Sequence, residues 1–119
     1  MLLVEDEEAV RTAERKALLR AGFHVLEAAN GVHALDVYQS ERVDLVVTDL
    51  VMPEMGGREL ATRLRQRNPD VKVLFTSGYT DDPTIRGGET GPGSSFLAKP
   101  FTPEALSRKA RELLDQRAS

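Results

Sequence analysis

Five side chains able to handle a phosphoryl group or a metal ion each stand where a short apolar run stops. Glu5 and Asp6 follow Met1-Leu2-Leu3-Val4, and Asp49 ends Val46-Val47-Thr48. Val71-Lys72-Val73-Leu74-Phe75 closes on Thr76-Ser77-Gly78, and Lys99 follows Ser95-Phe96-Leu97-Ala98. Such runs read as strands, and in an open parallel sheet the carboxyl ends share one edge, where crossovers leave a crevice for ligands. Three carboxylates, a hydroxyl and an ammonium would then meet. At about 4 Å and an effective dielectric of about 20, each carboxylate pair repels by roughly 4 kcal/mol. One lysine does not neutralise three acids, whereas a hard divalent cation does. Mg²⁺ takes one or two protein carboxylates, keeps waters and shares phosphate oxygens. An aspartate in that setting can attack a phosphoryl group while metal and lysine stabilise the equatorial charge. The residue types therefore point to covalent phosphorylation of Asp49.

The elements that must hold these groups alternate along the chain. After the first strand, Val10, Ala13 or Glu14, Ala17, Leu18 and Ala21 fall at helical spacing, with Gly22 as the stop. Phe23 to Ala28 reads as a second strand, and its His24 and Glu27 suit an edge. Asn30-Gly31 punctuates before a helix marked by Ala34, Leu35 and Tyr38. The Met52-Pro53 turn and Gly56-Gly57 lead into a helix with Leu60, Ala61 and Leu64 on one face, ended by Asn68-Pro69. Beyond the fourth strand, Asp82-Pro83 could begin a helix. Ile85 is its only large apolar residue and Gly87, Gly88, Gly91, Pro92 and Gly93 follow, so one or two turns and a mobile loop are expected. Thr102 as cap, Pro103 at the first helical position and Leu106, Ala110, Leu113 and Leu114 define the final helix. Five alternations predict a parallel sheet with helices on both faces and right-handed crossovers.

Composition bounds the alternatives. The 119 residues make one domain, spanning 1–119. A net charge of -3 argues against a nucleic-acid partner, which requires clustered excess Lys and Arg. Without cysteine there is no disulfide framework, thiolate metal site or thiol nucleophile. The apolar runs fall far short of a membrane span and no leader precedes the first strand, so a cytosolic setting is expected. The abrupt opening inside an apolar run leaves two expectations open, a domain cut from something longer or a domain that simply begins abruptly.

Val4-Glu5-Asp6-Glu7, Asp49-Leu50-Val51-Met52-Pro53 with Gly57, Ser77-Gly78-Tyr79 and Lys99-Pro100-Phe101 resemble the signature of two-component response-regulator receiver domains. The resemblance runs the whole length and implies an α/β flavodoxin-like (βα)5 three-layer sandwich with a parallel sheet ordered 2-1-3-4-5. It implies Asp49 as phosphoacceptor, Asp6 as direct Mg²⁺ ligand with Glu5 helping through water, and the Val51 carbonyl as a backbone ligand. Lys99 would pair with the phosphate, aimed by a cis Pro100. Ser77 and Phe96 would be the switch hydroxyl and aromatic. The implied partner is a histidine kinase or histidine phosphotransfer domain, with no nucleic acid and no membrane contact by this domain itself. Glu5 departs from the commoner aspartate, and the glycine-rich segment departs from the usual helix of the readout face. Ser77-Gly-Tyr-Thr-Asp and Lys99-Pro-Phe-Thr-Pro-Glu-Ala-Leu are similar to receivers at the C-terminal end of hybrid sensor histidine kinases.

Taken singly, the same residues have plainer readings. Asp6 could cap the first helix, Asp49 could be a turn residue and Lys99 a surface lysine. His24 and His33 read as surface histidines, Arg63, Arg65 and Arg67 as a solvated helix face, and Phe96 as core. Two rival functions follow. A Mg²⁺-dependent phosphohydrolase working through an aspartyl intermediate would want a second aspartate two residues after the nucleophile, where Val51 stands. A receiver-like interaction module that is never phosphorylated would not need Asp6, Asp49, Ser77 and Lys99 together.

Overall fold

Leu2–Val4 (β1), Leu45–Asp49 (β3) and Lys72–Ser77 (β4) form the middle of a five-stranded sheet flanked by Leu26–Ala28 (β2) and Ser94–Ala98 (β5). This computed structural model describes residues 1–40, 43–77, 94–99 and 101–115. Every strand pair is parallel and the order is β2-β1-β3-β4-β5. The helices are Glu8–Arg20 (α1), Gly31–Ser40 (α2), Gly57–Arg67 (α3) and Pro103–Asp115 (α4). The weak helix expected at Asp82-Pro83, the residues Gly78 and Tyr79, and Pro100 lie outside the described residues.

Two apolar layers follow from strand alternation, since successive side chains point to opposite faces. Leu2, Val4, Val46, Val73 and Phe75 pack with Leu60, Ala61 and Leu64 of α3 and Ala34 of α2, and Phe96 lies against that layer. Leu3, Leu45, Val47 and Leu74 face the other way, onto Ala17 and Leu18 of α1 and Leu106, Ala110 and Leu113 of α4, with Leu97 alongside. Glu5, Asp49 and Lys99 stand two residues beyond Leu3, Val47 and Leu97. The same parity therefore turns all three toward the α1 and α4 side. The ladder continues to those positions, because the Glu5 N–H donates to the Ala28 carbonyl at 3.2 Å and that of Lys99 to the Ser77 carbonyl at 2.8 Å.

Helix ends carry the expected chemistry. Gly22, at φ +95°, closes α1, with its N–H on the Leu19 carbonyl and that of Phe23 on Leu18. Thr102 Oγ1 accepts from the Ala105 N–H at 3.0 Å, capping α4 with Pro103 in its first turn. Asn30 Oδ1 accepts from the His33 N–H at 2.8 Å and starts α2. Two expectations are corrected and one plainer alternative falls away. Strand β2 begins at Leu26 rather than Phe23, because Phe23 is used in closing α1 and the ladder starts with the Leu26 N–H on the Met1 carbonyl. Arg65 is not simply solvated, since it donates to the Ser94 hydroxyl and its guanidinium is lowered by burial. Asp6 does not cap α1, whose N-cap is Glu7 with no side-chain capping bond.

The choice between Ala13 and Glu14 falls on Glu14. It is only 5% exposed, one turn before Ala17 and Leu18 on the buried stripe of α1, and neither carboxylate oxygen has a hydrogen-bond partner among the described residues. Burial first, then the charge of Glu5, raises its pKa from 4.5 to about 7, Asp49 adding to the rise and Lys99 opposing it. A carboxyl whose pKa is higher folded than unfolded costs nothing below the unfolded value and a growing amount as pH rises through the folded one. The gap corresponds to about 3 kcal/mol. Urea unfolding should accordingly show the parent losing about 2 to 3 kcal/mol relative to Glu14→Gln between about pH 4.5 and pH 8. A pH-independent difference between the two proteins contradicts the buried placement.

Candidate functional site

The carboxyl edge of β1, β3 and β5 gathers the acids and the lysine. Glu5 is fully enclosed at 1% exposure, Asp49 is partly covered and Asp6 faces water. One carboxylate oxygen from each of the three lies within 4.8 Å of the others. Lys99 Nζ bridges two of them, donating to Glu5 Oε2 at 3.2 Å and to Asp49 Oδ2 at 3.4 Å. Asp6, Glu7, Asp49, Val51, Met52, Pro53 and Lys99 line an open cavity of about 590 Å³ above them.

Local backbone fixes each carboxylate. Glu5 Oε1 accepts from the Glu7 N–H at 3.3 Å, and the Glu5 carbonyl accepts from Arg11 Nη1 at 2.8 Å, which ties the turn to α1. Asp49 Oδ1 accepts from the Val51 N–H at 3.4 Å, leaving Oδ2 for the lysine. The Leu50 N–H donates to the Thr76 carbonyl at 2.9 Å and its carbonyl accepts from Gly57 at 3.0 Å. Gly57 runs so close that a Cβ there would lie 2.4 Å from the Asp49 carbonyl oxygen. Within the intervening turn, Glu54 holds φ at 68°, a conformation costly for a residue with a Cβ.

Electrostatics follow from this enclosure. Burial pushes the Glu5 carboxyl above the ordinary carboxylate range, the Lys99 charge pulling it back and the Asp49 charge adding to the rise. For Lys99 burial works against the ammonium, yet the charges of Asp49 and Glu5 prevail and raise it above the ordinary lysine value. The donors are hard oxygens, and one ammonium opposes three carboxylates, so the residues fit a hard divalent cation better than a soft one.

The structure thus brings Glu5, Asp6, Asp49, Val51 and Lys99 together. Ser77 occupies the same edge, one residue beyond Thr76, the register partner of Asp49, and is buried without lining the cavity. By alternation Ser77 shares the face of Phe75, whose register partner is Phe96, so Ser77 and Phe96 stand on one side of the sheet. His24 and His33 are exposed and neither lines the cavity. Glu14, whose charge environment is set by this pocket, was visible in the sequence only as an acid falling in an apolar helical stripe.

A parallel 2-1-3-4-5 sheet with an acidic edge and a bridging lysine is the architecture of a receiver. The chain belongs to the response regulator receiver domain family, whose model matches residues 1–111. This is a family of signalling domains that accept phosphoryl groups in two-component systems, not one of catalytic enzymes. Sensor kinase CckA of Brucella abortus is 43% identical over 118 residues, 98% of this chain and 12% of that kinase. Response regulator receiver protein CpdR of the same species is 36% identical over 114 residues, 96% of this chain and 95% of that protein. Among solved structures, the receiver domain of hybrid histidine kinase CckA matches with a TM-score of 0.81 at 33% identity, covering 96% of this chain and 97% of that one. Chemotaxis protein CheY4 of Vibrio cholerae gives 0.85 at 29%, covering 94% and 95%. The chain therefore spans a small part of one curated relative and nearly all of another.

The contact under Asp49 is directly testable. Gly57→Ala must displace backbone, since the added Cβ meets the Asp49 carbonyl and Leu50 Cα rather than a movable side chain. It should lower unfolding stability by about 1 to 3 kcal/mol and shift the amide resonances of Asp49 to Val51. A variant as stable as the parent with unchanged resonances contradicts the close approach.

Proposed function

We propose that Asp49 accepts a phosphoryl group from a phosphohistidine on a histidine kinase or histidine phosphotransfer partner. An Asp49 carboxylate oxygen forms the new bond to phosphorus, and the phosphorus–nitrogen bond breaks with its electron pair returning to the imidazole. The product is an acyl phosphate, which water later cleaves slowly. The observation that carries this reading is the bridge from Lys99 to both Glu5 and Asp49 beside the open cavity. Lys99 is already held where it can follow negative charge from the carboxylate to the phosphoryl oxygens. Glu5, Asp6, Asp49 and the Val51 carbonyl would hold Mg²⁺, which when bound supplies charge neutralisation at the phosphoryl oxygens.

The switch is proposed to run through Ser77 and Phe96. Ser77 bonds the phosphoryl group and Phe96 turns into the space released on the same face of the sheet. One hydrogen bond to a charged group is worth roughly 1.5 to 3 kcal/mol, whereas inverting a 1:99 population needs about 5.5 kcal/mol. Ser77 therefore acts together with Lys99 and repacking around Phe96. The similarity to CckA supports a place in a hybrid sensor kinase, on the cytosolic side, and the similarity to CpdR supports a stand-alone regulator equally well by coverage.

Two measurements test these roles. Asp49→Asn should abolish labelling by a phosphohistidine donor or by acetyl phosphate, and retained labelling contradicts the assignment of the acceptor. Ser77→Ala should still take up the group but show a smaller chemical-shift response around Phe96 on beryllofluoride addition; a response equal to the parent's removes Ser77 from the switch.

A further inference from the structure

Four carboxylates, not three, belong to the electrostatics of the carboxyl edge. Strand parity turns Glu5, Asp49 and Lys99 toward the α1 side, and Glu14 projects from the buried stripe of α1 on that same side without lining the cavity. It is enclosed, both of its oxygens are unpartnered among the described residues, and it hydrogen-bonds to none of the cavity residues. A buried carboxylate with no partner is held neutral rather than charged. The charges that reach it are those of Glu5 at the end of β1, Asp49 at the end of β3 and Lys99 beyond β5. On its own helix Arg11 and Arg15 are turned to Glu27 of β2. From α4, the buried stripe Leu106, Ala110 and Leu113 carries no charge, Arg111 donates to the Ala21 carbonyl at the far end of α1, and Lys109 pairs with Glu112.

We propose that Glu14 is a proton store for the pocket: neutral while the acids stand alone, it releases its proton when a divalent cation is loaded, so that loading is favoured by rising pH through the neutral range. The inference rests on the phosphoacceptor reading and on Mg²⁺ as the cation. Its sign follows from charge alone. Two positive charges placed against Glu5 and Asp49 offset the field that holds the Glu14 proton, and the carboxyl, poised at about 7, then ionises. By linkage, a group that loses its proton on binding makes binding tighter at higher pH. Glu14 does not touch the phosphoryl group, and its role is exerted through the charge balance around Lys99.

The test is Mg²⁺ titration of the parent and Glu14→Gln by calorimetry across pH 6 to 8, in two buffers of different ionisation enthalpy. Each tenfold fall in the Glu14 proton affinity on loading gives up to a tenfold rise in Mg²⁺ affinity across its titration. The parent should therefore gain affinity several-fold more over this range than Glu14→Gln, and near pH 7 it should release more protons per Mg²⁺ bound. Glu14→Leu, which also removes the acid, should behave as Glu14→Gln does. Glu5 titrates in all three proteins and cancels in the comparison. Equal pH slopes and equal proton release overturn the proton store while leaving the phosphoacceptor reading intact. A parent that binds no Mg²⁺ at any of these pH values overturns both.

Discussion

Like charge gathered at one sheet edge is the constraint on which the rest of the molecule depends. Carboxylate oxygens within 4.8 Å of one another repel by roughly 3 kcal/mol per pair at an effective dielectric of about 20, and by less for Asp6, which faces water. The fold holds that arrangement because β1 and β3 are buried on both faces and leave the edge acids no freedom to separate. Lys99 offsets part of the repulsion from a third strand. The unbalanced remainder suits the site to a guest that brings positive charge first and a phosphoryl group with it.

Lys99 also joins the charged side of the sheet to the other side. Its ammonium meets Glu5 and Asp49 among the groups facing α1, while its own N–H is bonded to the carbonyl of Ser77, whose side chain shares the opposite face with Phe75 and Phe96. A change of charge at Asp49 therefore acts on the same short backbone segment that carries the hydroxyl. In the proposed switch no single contact supplies enough free energy to invert a population, so the response would have to be spread over lysine, hydroxyl and aromatic repacking.

How much of this was legible depended on the kind of signal. Strand termini were readable because Leu2 to Val4, Leu45 to Thr48 and Val71 to Phe75 are short runs that stop at or just before a candidate site residue, and the shared carboxyl edge of a parallel sheet then placed Glu5, Asp49 and Lys99 together. Capping chemistry at Thr102-Pro103 and Gly22 was readable for the same local reason. The early end of pairing in β2 was not, because Phe23 serves the closing turn of α1, a tertiary use that a β-prone side chain does not announce. Arg65 shows the converse: a helix of arginines reads as solvated until β5 brings the Ser94 hydroxyl to it. Glu14 was the subtlest case. Its spacing fitted the buried stripe, but only the packed structure shows that a carboxylate, rather than its neighbour Ala13, occupies the inside.

The claim that Asp49 is the acceptor in this charge-crowded pocket is tested most directly by locating the phosphoryl group. Phosphorylated protein reduced with borohydride converts the acyl-phosphate residue to an alcohol that peptide mass spectrometry maps. The account predicts a single reduced residue, at Asp49, formed only when Mg²⁺ is present. Reduction at Glu5, Asp6 or Glu14 instead, or at Asp49 with equal yield after Mg²⁺ is chelated, would contradict it.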